Sequence, residues 1–396
     1  MKNGSYAIPA VVVGGGLNGL GVVRSLGQAG VPVTVLDKDP GAPAMRSRFA
    51  RAIRAGSHGS EKVEGRDLID TLMDLRSGWD TRPVLFLTQE ESVAFVSARR
   101  ERLGNGYRMT MPAHDTMATL LDKTRFQARA EALGFPLPRS CSLSGLQHLP
   151  SARRLRYPCI VKPVTKNPLW GAKFKKAYEV ATFAELETLY RTMVEFSSDV
   201  IVQEWIKGQD CDVYFCLQYR DRSGHTRASF TGRKIRQWPP MVGGTASCMP
   251  APGVATVLEE LTSRFFDAVG FVGICSMEYK RDQRDGQFYM VEPTVGRTDY
   301  QEEVATLNGD NIVLAAYEAE CDLPARPRAP TGRAPGRIWR DPFGDARSAE
   351  LQPDHVAPAE AKKCEVVDAY WRWNDPGPWI GLRFDAIRNR LRRLAK

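Results

Sequence analysis

Over the first third of the chain, short apolar runs alternate with longer amphipathic stretches. Residues 10–13 (AVVV) predict a buried strand, residues 17–29 a helix stopped by Gly30, and residues 33–36 a second strand. Another strand is expected over 84–87, followed by a helix over 88–98. Strands apolar on both faces and spaced by helices predict an open, mostly parallel α/β domain, placed over residues 1–117. Asp122 then caps a helix running to Leu133, which Gly134 stops ahead of Pro136 and Pro138. Strands over 157–164 and 177–180 and a helix over 183–195 predict a small α+β unit. From 200 to 291 strands dominate, broken by a helix near 256–269, and a further helix follows near 311–319. Beyond Leu323 the composition shifts to PARPRAPTGRAPGR, so residues 323–396 are expected to be a Pro/Arg-rich linker and a basic terminal helix. There are no internal repeats.

Composition narrows the class. A chain of 396 residues exceeds one typical core, so two or three domains are expected. No apolar run approaches the ~20 residues of a membrane span, and the start, MKNGSYAIPA, lacks the charged and apolar regions of a secretory signal. Eight cysteines are scattered without a CxxC pair and five histidines are equally dispersed, which excludes a zinc pattern and predicts reduced thiols in a cytoplasmic protein. The net charge of +9 suits a phosphate-rich ligand, and equally an Arg-rich tail.

The most informative stretch is GICSMEYKRDQRDGQFYMVEPTVGR, a strand, a turn at Arg284-Asp285-Gly286 and a second strand, with Glu278 on one strand and Glu292 on the other. A two-residue Asp-Gly loop sets Glu278 across from Pro293 and leaves the acids on opposite faces. A three-residue loop with Gly286 left-handed sets Glu278 opposite Glu292. Opposed carboxylates destabilise a strand pair unless a cation lies between them. Mg²⁺, which takes one or two carboxylates plus phosphate oxygens, answers that need; two exposed glutamates on an amphipathic hairpin are the plainer reading.

A second motif points elsewhere. Gly14-x-Gly16-x-x-Gly19 lies between a strand and a helix and Asp37 ends the next strand, which matches a dinucleotide fingerprint in context. This supports a rival function, an NAD(P)-dependent oxidoreductase. The same glycines also serve close packing, with a helix N-terminus facing a small anion.

Further residues come in order: Asp122-Lys123-x-x-Phe126, then YPCIVKPV with Lys162 ending an apolar strand, then Lys175-Lys176, VIVQEWIKGQDCDVYF, and GRKIRQWPP ahead of Gly243-Gly244-Thr245. A lysine in apolar surroundings is costly without an anion. This order, over residues 8–320, resembles the ATP-grasp superfamily, and around FTGRKIRQWPP…GGTAS the D-aspartate ligase-like branch of carboxylate–amine ligases. The resemblance implies a preATP-grasp (Rossmann-like) α/β domain and a two-lobed α+β ATP-grasp domain over 118–322, with a lid near 157–198 and a metal-carrying lobe near 200–322. It implies ATP phosphates on Lys123, Lys162 and Lys176 (Lys175 being the alternative), an adenine hinge at Glu204, Trp205 and Ile206, and a ribose acid at Asp210, or else Asp212. It also implies Lys234 at the terminal phosphates, Mg²⁺ (or Mn²⁺) on Glu278, Glu292 and Thr294, and Arg297 steadying the transferred phosphoryl group.

Two features depart from the family pattern. Thr294 stands where relatives often carry Asn, although strand alternation points it the same way as Glu292. The lid loop PVTKNPLWGAKF has a single glycine, leaving phosphate capture to Lys166, Lys173 or Trp170. A nucleotide-binding protein without catalysis is the third reading these departures admit. The resemblance implies small-molecule carboxylate and amine substrates and no nucleic-acid partner. At the end of the chain, Phe384, Ile387, Leu391 and Leu394 keep a 3-4-3 spacing among arginines. That helix is expected to cover its own domain, with contact to an anionic membrane surface as the alternative.

Overall fold

The computed structural model describes residues 6–56, 65–164, 174, 177–196, 199–324 and 335–394, with side chains in the last helix to residue 388. Four strands, β1 (Ala10–Val13), β2 (Val33–Asp37), β3 (Ala50–Arg54) and β4 (Val84–Leu87), form a parallel sheet in the order β3-β2-β1-β4. β1, β2 and β4 are apolar on both faces because helices and the neighbouring lobe cover both sides. β3 escapes the apolar pattern because it is an edge strand with Arg51 and Arg54 exposed. The helices expected over 17–29 and 88–98 are Leu17–Gly27 and Glu90–Ala98.

The small unit is an antiparallel sheet. Strands β5 (Ser140–Leu143), β6 (Cys159–Pro163), β7 (Tyr178–Val180) and β8 (Val200–Glu204) take the order β5-β8-β6-β7. The helix Phe183–Met193 packs Leu186, Tyr190 and Met193 into its core, and Thr182 caps that helix on the Glu185 amide. The large sheet comprises β9 (Val213–Arg220), β10 (Thr226–Trp238), β11 (Gly244–Pro250), β12 (Gly273–Arg281), β13 (Phe288–Val295), β14 (Arg337–Arg340) and β15 (Glu365–Asp368), in the order β13-β12-β9-β10-β11-β14-β15. The region read as linker and terminal helix therefore also supplies two strands. RIWR and EVVD are too short to announce themselves by alternation; β14 is recruited by pairing onto β11, and β15 by pairing onto β14.

The parts are joined by a buried ionic seam. Arg24, on the first helix and 1 % exposed, donates Nε to Asp375 (2.9 Å) and its terminal nitrogens to the carbonyls of Ala369 and Tyr370 (both 2.7 Å). Asp375 also accepts from the Ser47 hydroxyl and the Arg48 amide, each at 2.9 Å. Glu303 completes the seam, accepting from Arg372 and from the Trp339 indole N–H at 2.9 Å. Every charge in the seam has a counter-charge or a carbonyl, as burial demands.

Candidate functional site

A cleft of about 250 Å³ lies between the small antiparallel sheet and the large one. Lys123, Lys162, Glu204, Trp205, Ile206, Lys234, Glu278 and Glu292, eight of the residues singled out in the sequence, line it. A larger cavity of about 660 Å³ occupies the reverse face of the large sheet. Tyr214, Arg233 and Arg281 line that reverse cavity, whereas their strand neighbours Val213, Lys234 and Lys280 line the cleft, as alternation requires.

Glu278 is paired opposite Glu292, the outcome the sequence made conditional on loop length. The route is different from the one expected. Pairing closes at Arg281 with Phe288, and the Asp282 amide reaches the Gln287 carbonyl, so the loop holds four residues, 283–286, rather than three. A bulge between Glu278 and Tyr279 then shifts the register by one and restores the acid pair. Gly286 is left-handed as expected, at φ +70°.

Lys234 explains how two carboxylates tolerate this arrangement. Its ammonium, 2 % exposed, sits 2.6 Å from Glu278 and donates to Gln237 at 3.2 Å. Burial works against the Lys234 charge, but Glu278, with Asp299 and Glu292 behind it, holds its pKa above the ordinary lysine range. Burial pushes the Glu278 carboxyl upward against the pull of Lys234, and Glu292 pushes it further. Lys123, the first residue of the helix capped by Asp122, approaches Glu292 to 3.8 Å. The donor set fits a hard divalent cation: two opposed carboxylates, with ammonium groups placed for the phosphates such an ion also binds. Among the described residues no group of three or more protein ligands gathers, so phosphate or water oxygens would complete the shell. Thr294 lies on the same strand face but is not among the residues lining the cleft.

The cleft wall at Glu204, Trp205 and Ile206 is built from the end of β8 and the two residues after it. Glu204 accepts from the Arg156 amide at 2.9 Å and gives its own amide to the Arg139 carbonyl, while the Trp205 amide donates to Pro158. These bonds fix the 204–206 backbone along the cleft wall. Asp210, expected at the ribose, is not among the residues lining the cleft, although its partners Gln237 and Met241 are. Fully buried, it accepts from the Gln237 amide (2.9 Å), the Gln237 side chain (3.0 Å) and the Met241 amide (2.8 Å). It clamps the turn in which Met241 adopts φ +67° and Gly243 passes so close to Trp238 that a Cβ would lie 2.0 Å from its carbonyl carbon. Asp212, the alternative, accepts from the Gln209 amide and the Gln283 side chain and also stays out of the cleft lining. Lys176 and its neighbours Lys166, Trp170, Lys173 and Lys175 lie outside the described residues.

The glycine loop meets the far end of the hairpin. Asn18 donates to the Thr88 and Thr298 carbonyls at 2.8 and 2.7 Å and accepts from the Thr298 hydroxyl, which brings the loop beside Arg297. Arg297 reaches toward Glu90 at 3.9 Å and is not part of the cleft lining. Asp37, which a dinucleotide would need for its ribose, is spent instead. One oxygen accepts from the Gly15 amide at 2.6 Å and the other from the Asp39 amide at 2.9 Å, and the side chain is buried. Gly19 is required for packing, because a Cβ there would lie 1.9 Å from the Gly14 carbonyl oxygen.

Two charged residues of the cleft, Lys280 and Asp299, went unrecognised in the sequence. Lys280 lies two residues beyond Glu278 and so shares its face; its ammonium donates to the Gly208 and Gln209 carbonyls at 3.0 and 2.7 Å. Period-two alternation was the signal for it. Asp299 lines the cleft from the loop after β13, where no periodicity marks it.

Comparisons with known proteins point in two directions. A family model for FAD dependent oxidoreductases matches residues 10–138, the segment with the glycine loop. No curated protein matches the sequence. Among solved structures, the ADP complex of purK, an N5-carboxyaminoimidazole ribonucleotide synthetase, superposes with a TM-score of 0.61 at 15 % identity, covering 83 % of this chain and 81 % of that one. Biotin carboxylase from Campylobacter jejuni, in a β,γ-ATP complex, gives 0.62 at 16 % identity over 81 % and 72 % of the two chains. Carboxyaminoimidazole ribonucleotide synthase from Aspergillus clavatus, complexed with ATP, gives 0.61 at 15 % identity over 89 % and 87 %. The architecture is the ATP-grasp fold: a Rossmann-like amino-terminal sheet followed by a two-lobed α+β unit.

Proposed function

We propose that this chain is an ATP-dependent carboxylate–amine ligase. The observation that carries the proposal is the opposed Glu278–Glu292 pair in a lysine-lined cleft between two lobes. ATP would lie there with its adenine along Glu204–Ile206 and its phosphates toward Lys123, Lys162 and Lys234, with Lys176 as a further candidate for the phosphates. A divalent ion held by Glu278 and Glu292, with Thr294 as a further candidate, would supply charge neutralisation on the phosphates.

A substrate carboxylate oxygen then bonds to the γ-phosphorus as the bond to the bridging oxygen of ADP breaks, giving an acyl phosphate. An amine attacks the acyl carbon, phosphate leaves and the amine proton is lost. The chain's contribution is placement and charge. Lys234 neutralises the moving phosphoryl group, the lobes exclude water, and Arg297, beside the glycine loop, holds an anionic substrate group or the acyl phosphate. We assign the acid to the amino-acid class, as in D-aspartate ligase-like enzymes. The bicarbonate bound beside MgADP in the biotin carboxylase domain of a Hydrogenobacter thermophilus carboxylase makes bicarbonate the second candidate. The eight free cysteines suit the reducing cytoplasm.

The test is ADP release from MgATP across pairs of amino acids and amines, with bicarbonate as a separate arm. Glu292→Gln is expected to lower turnover at least about 100-fold without loss of the folded state. Unchanged turnover would remove the carboxylate assignment. NADH or FADH₂ oxidation without an ATP requirement would replace the ligase reading altogether.

A further inference from the structure

The terminal helix Gly377–Leu394 is docked on the molecule by one face only. Gly377 and Gly381 pass so close to Arg46 that a Cβ on either would lie about 2 Å from its atoms, and Asp385 pairs with the Arg46 guanidinium at 2.7 Å. Ile380, Phe384 and Ile387 point the other way, 42 %, 67 % and 57 % exposed. These three form an apolar stripe away from the docked face, and in the sequence Leu391 and Leu394 keep the same 3-4 spacing. At its base Trp371 stacks edge-on with Trp373 and Trp379, and Trp373 is 88 % exposed.

Charge decides what covers the stripe. Residues 377–396 carry six cations, Arg383, Arg388, Arg390, Arg392, Arg393 and Lys396, against one acid, Asp385, which Arg46 already neutralises. At 3.6 residues per turn, Arg383 falls on one flank of the stripe and Arg388 on the other. Pairing with a second copy would set these arginines against each other. No described helix is long and apolar enough to cross a membrane. An apolar stripe flanked by arginines, with tryptophan at one end, matches the demands of a helix lying in the plane of an anionic bilayer surface.

We propose that this helix attaches the protein peripherally to an anionic lipid surface, with Phe384 and Ile387 inserted between headgroups and the arginines bound to lipid phosphates. The helix rests on residues 43–46, and the Ala44 amide donates to the Gly15 carbonyl at 2.8 Å, so attachment would hold the glycine loop close to the bilayer. This inference does not depend on the ligase reading.

The experiment is co-sedimentation of the full chain with phosphatidylcholine vesicles, with and without phosphatidylserine, at low and high salt. The variant carries Phe384→Asp and Ile387→Asp; both positions are exposed, and its unfolding temperature reports that the fold is kept. Binding confined to phosphatidylserine vesicles, weakened by salt and reduced at least about tenfold in the variant, is the expected result. The proposal is overturned by no binding to phosphatidylserine vesicles, by equal binding to both lipids, or by an unaffected variant. Light scattering that shows a dimer converted to monomer by the double substitution, without lipid binding, would give the stripe to a second copy of the chain.

Discussion

Two clusters of buried charge, the Arg24–Glu303–Asp375 seam and the Lys234–Glu278–Glu292 cleft, use the same residue types for different ends. In the seam, arginines meet carboxylates and spend their remaining donors on carbonyls at 2.7 Å. The cleft sets two carboxylates opposite each other, adds Asp299, and offers lysines on the opposing walls. A saturated network is structural because nothing further is gained by binding to it. Opposed carboxylates and lysines lining an open cleft can exchange these ion pairs for a ligand that brings its own charges. Access to a ligand, rather than the presence of buried charge, separates scaffold from site.

The comparison breaks most visibly at the seam. Asp375→Ala leaves Arg24 buried without its partner and is expected to cost about 3–5 kcal/mol of stability, read by denaturant unfolding. A change within error would show that the seam does not hold the amino-terminal domain to the carboxy-terminal segment.

Glu302, adjacent to the seam, is the exception within it. Burial raises its carboxyl to about 7, although the Ser25 and Thr306 hydroxyls bond it. The folded form therefore holds a proton that the unfolded chain releases near pH 4.5, so stability falls as pH rises between those values. Glu302→Gln is expected to flatten that slope and to stabilise the protein at pH 8 by up to about 3 kcal/mol. A variant with the same pH profile as the parent would place the proton elsewhere.

Asp210 tests which cluster it belongs to. As a clamp on the Gln237–Met241 turn, Asp210→Asn is expected to cost about 1–3 kcal/mol of stability with little change in KM for ATP. A raised KM at unchanged stability would return Asp210 to the nucleotide. The smallest effect sharpens the contrast: Glu292→Gln removes one of two opposed charges, so the unfolding temperature should hold or rise slightly while turnover collapses.

The legible part of the molecule was what local pattern encodes. β1, β2 and β4 announce themselves as apolar runs between helices, and Asp122 marks a helix start by chemistry that acts within one turn. The order of lysines and acids along the chain was equally readable, and eight of the residues singled out line one cleft. Edge strand β3 and the recruited strands β14 and β15 were not, because pairing rather than periodicity defines them.

Sequence alone thus determined which residues alternate, which helices are capped, and which charged side chains the strands present. Tertiary structure decided which of those charges meet. The Glu278–Glu292 pairing hung on a bulge and a four-residue loop, either of which alone would misplace it by one residue. Asp210 and Asp37, acids with the right spacing for ribose, were claimed by amides of neighbouring turns. A hydrogen bond is won by whichever donor the packed chain brings within 3 Å, and that competition between distant segments leaves no trace in spacing along the sequence.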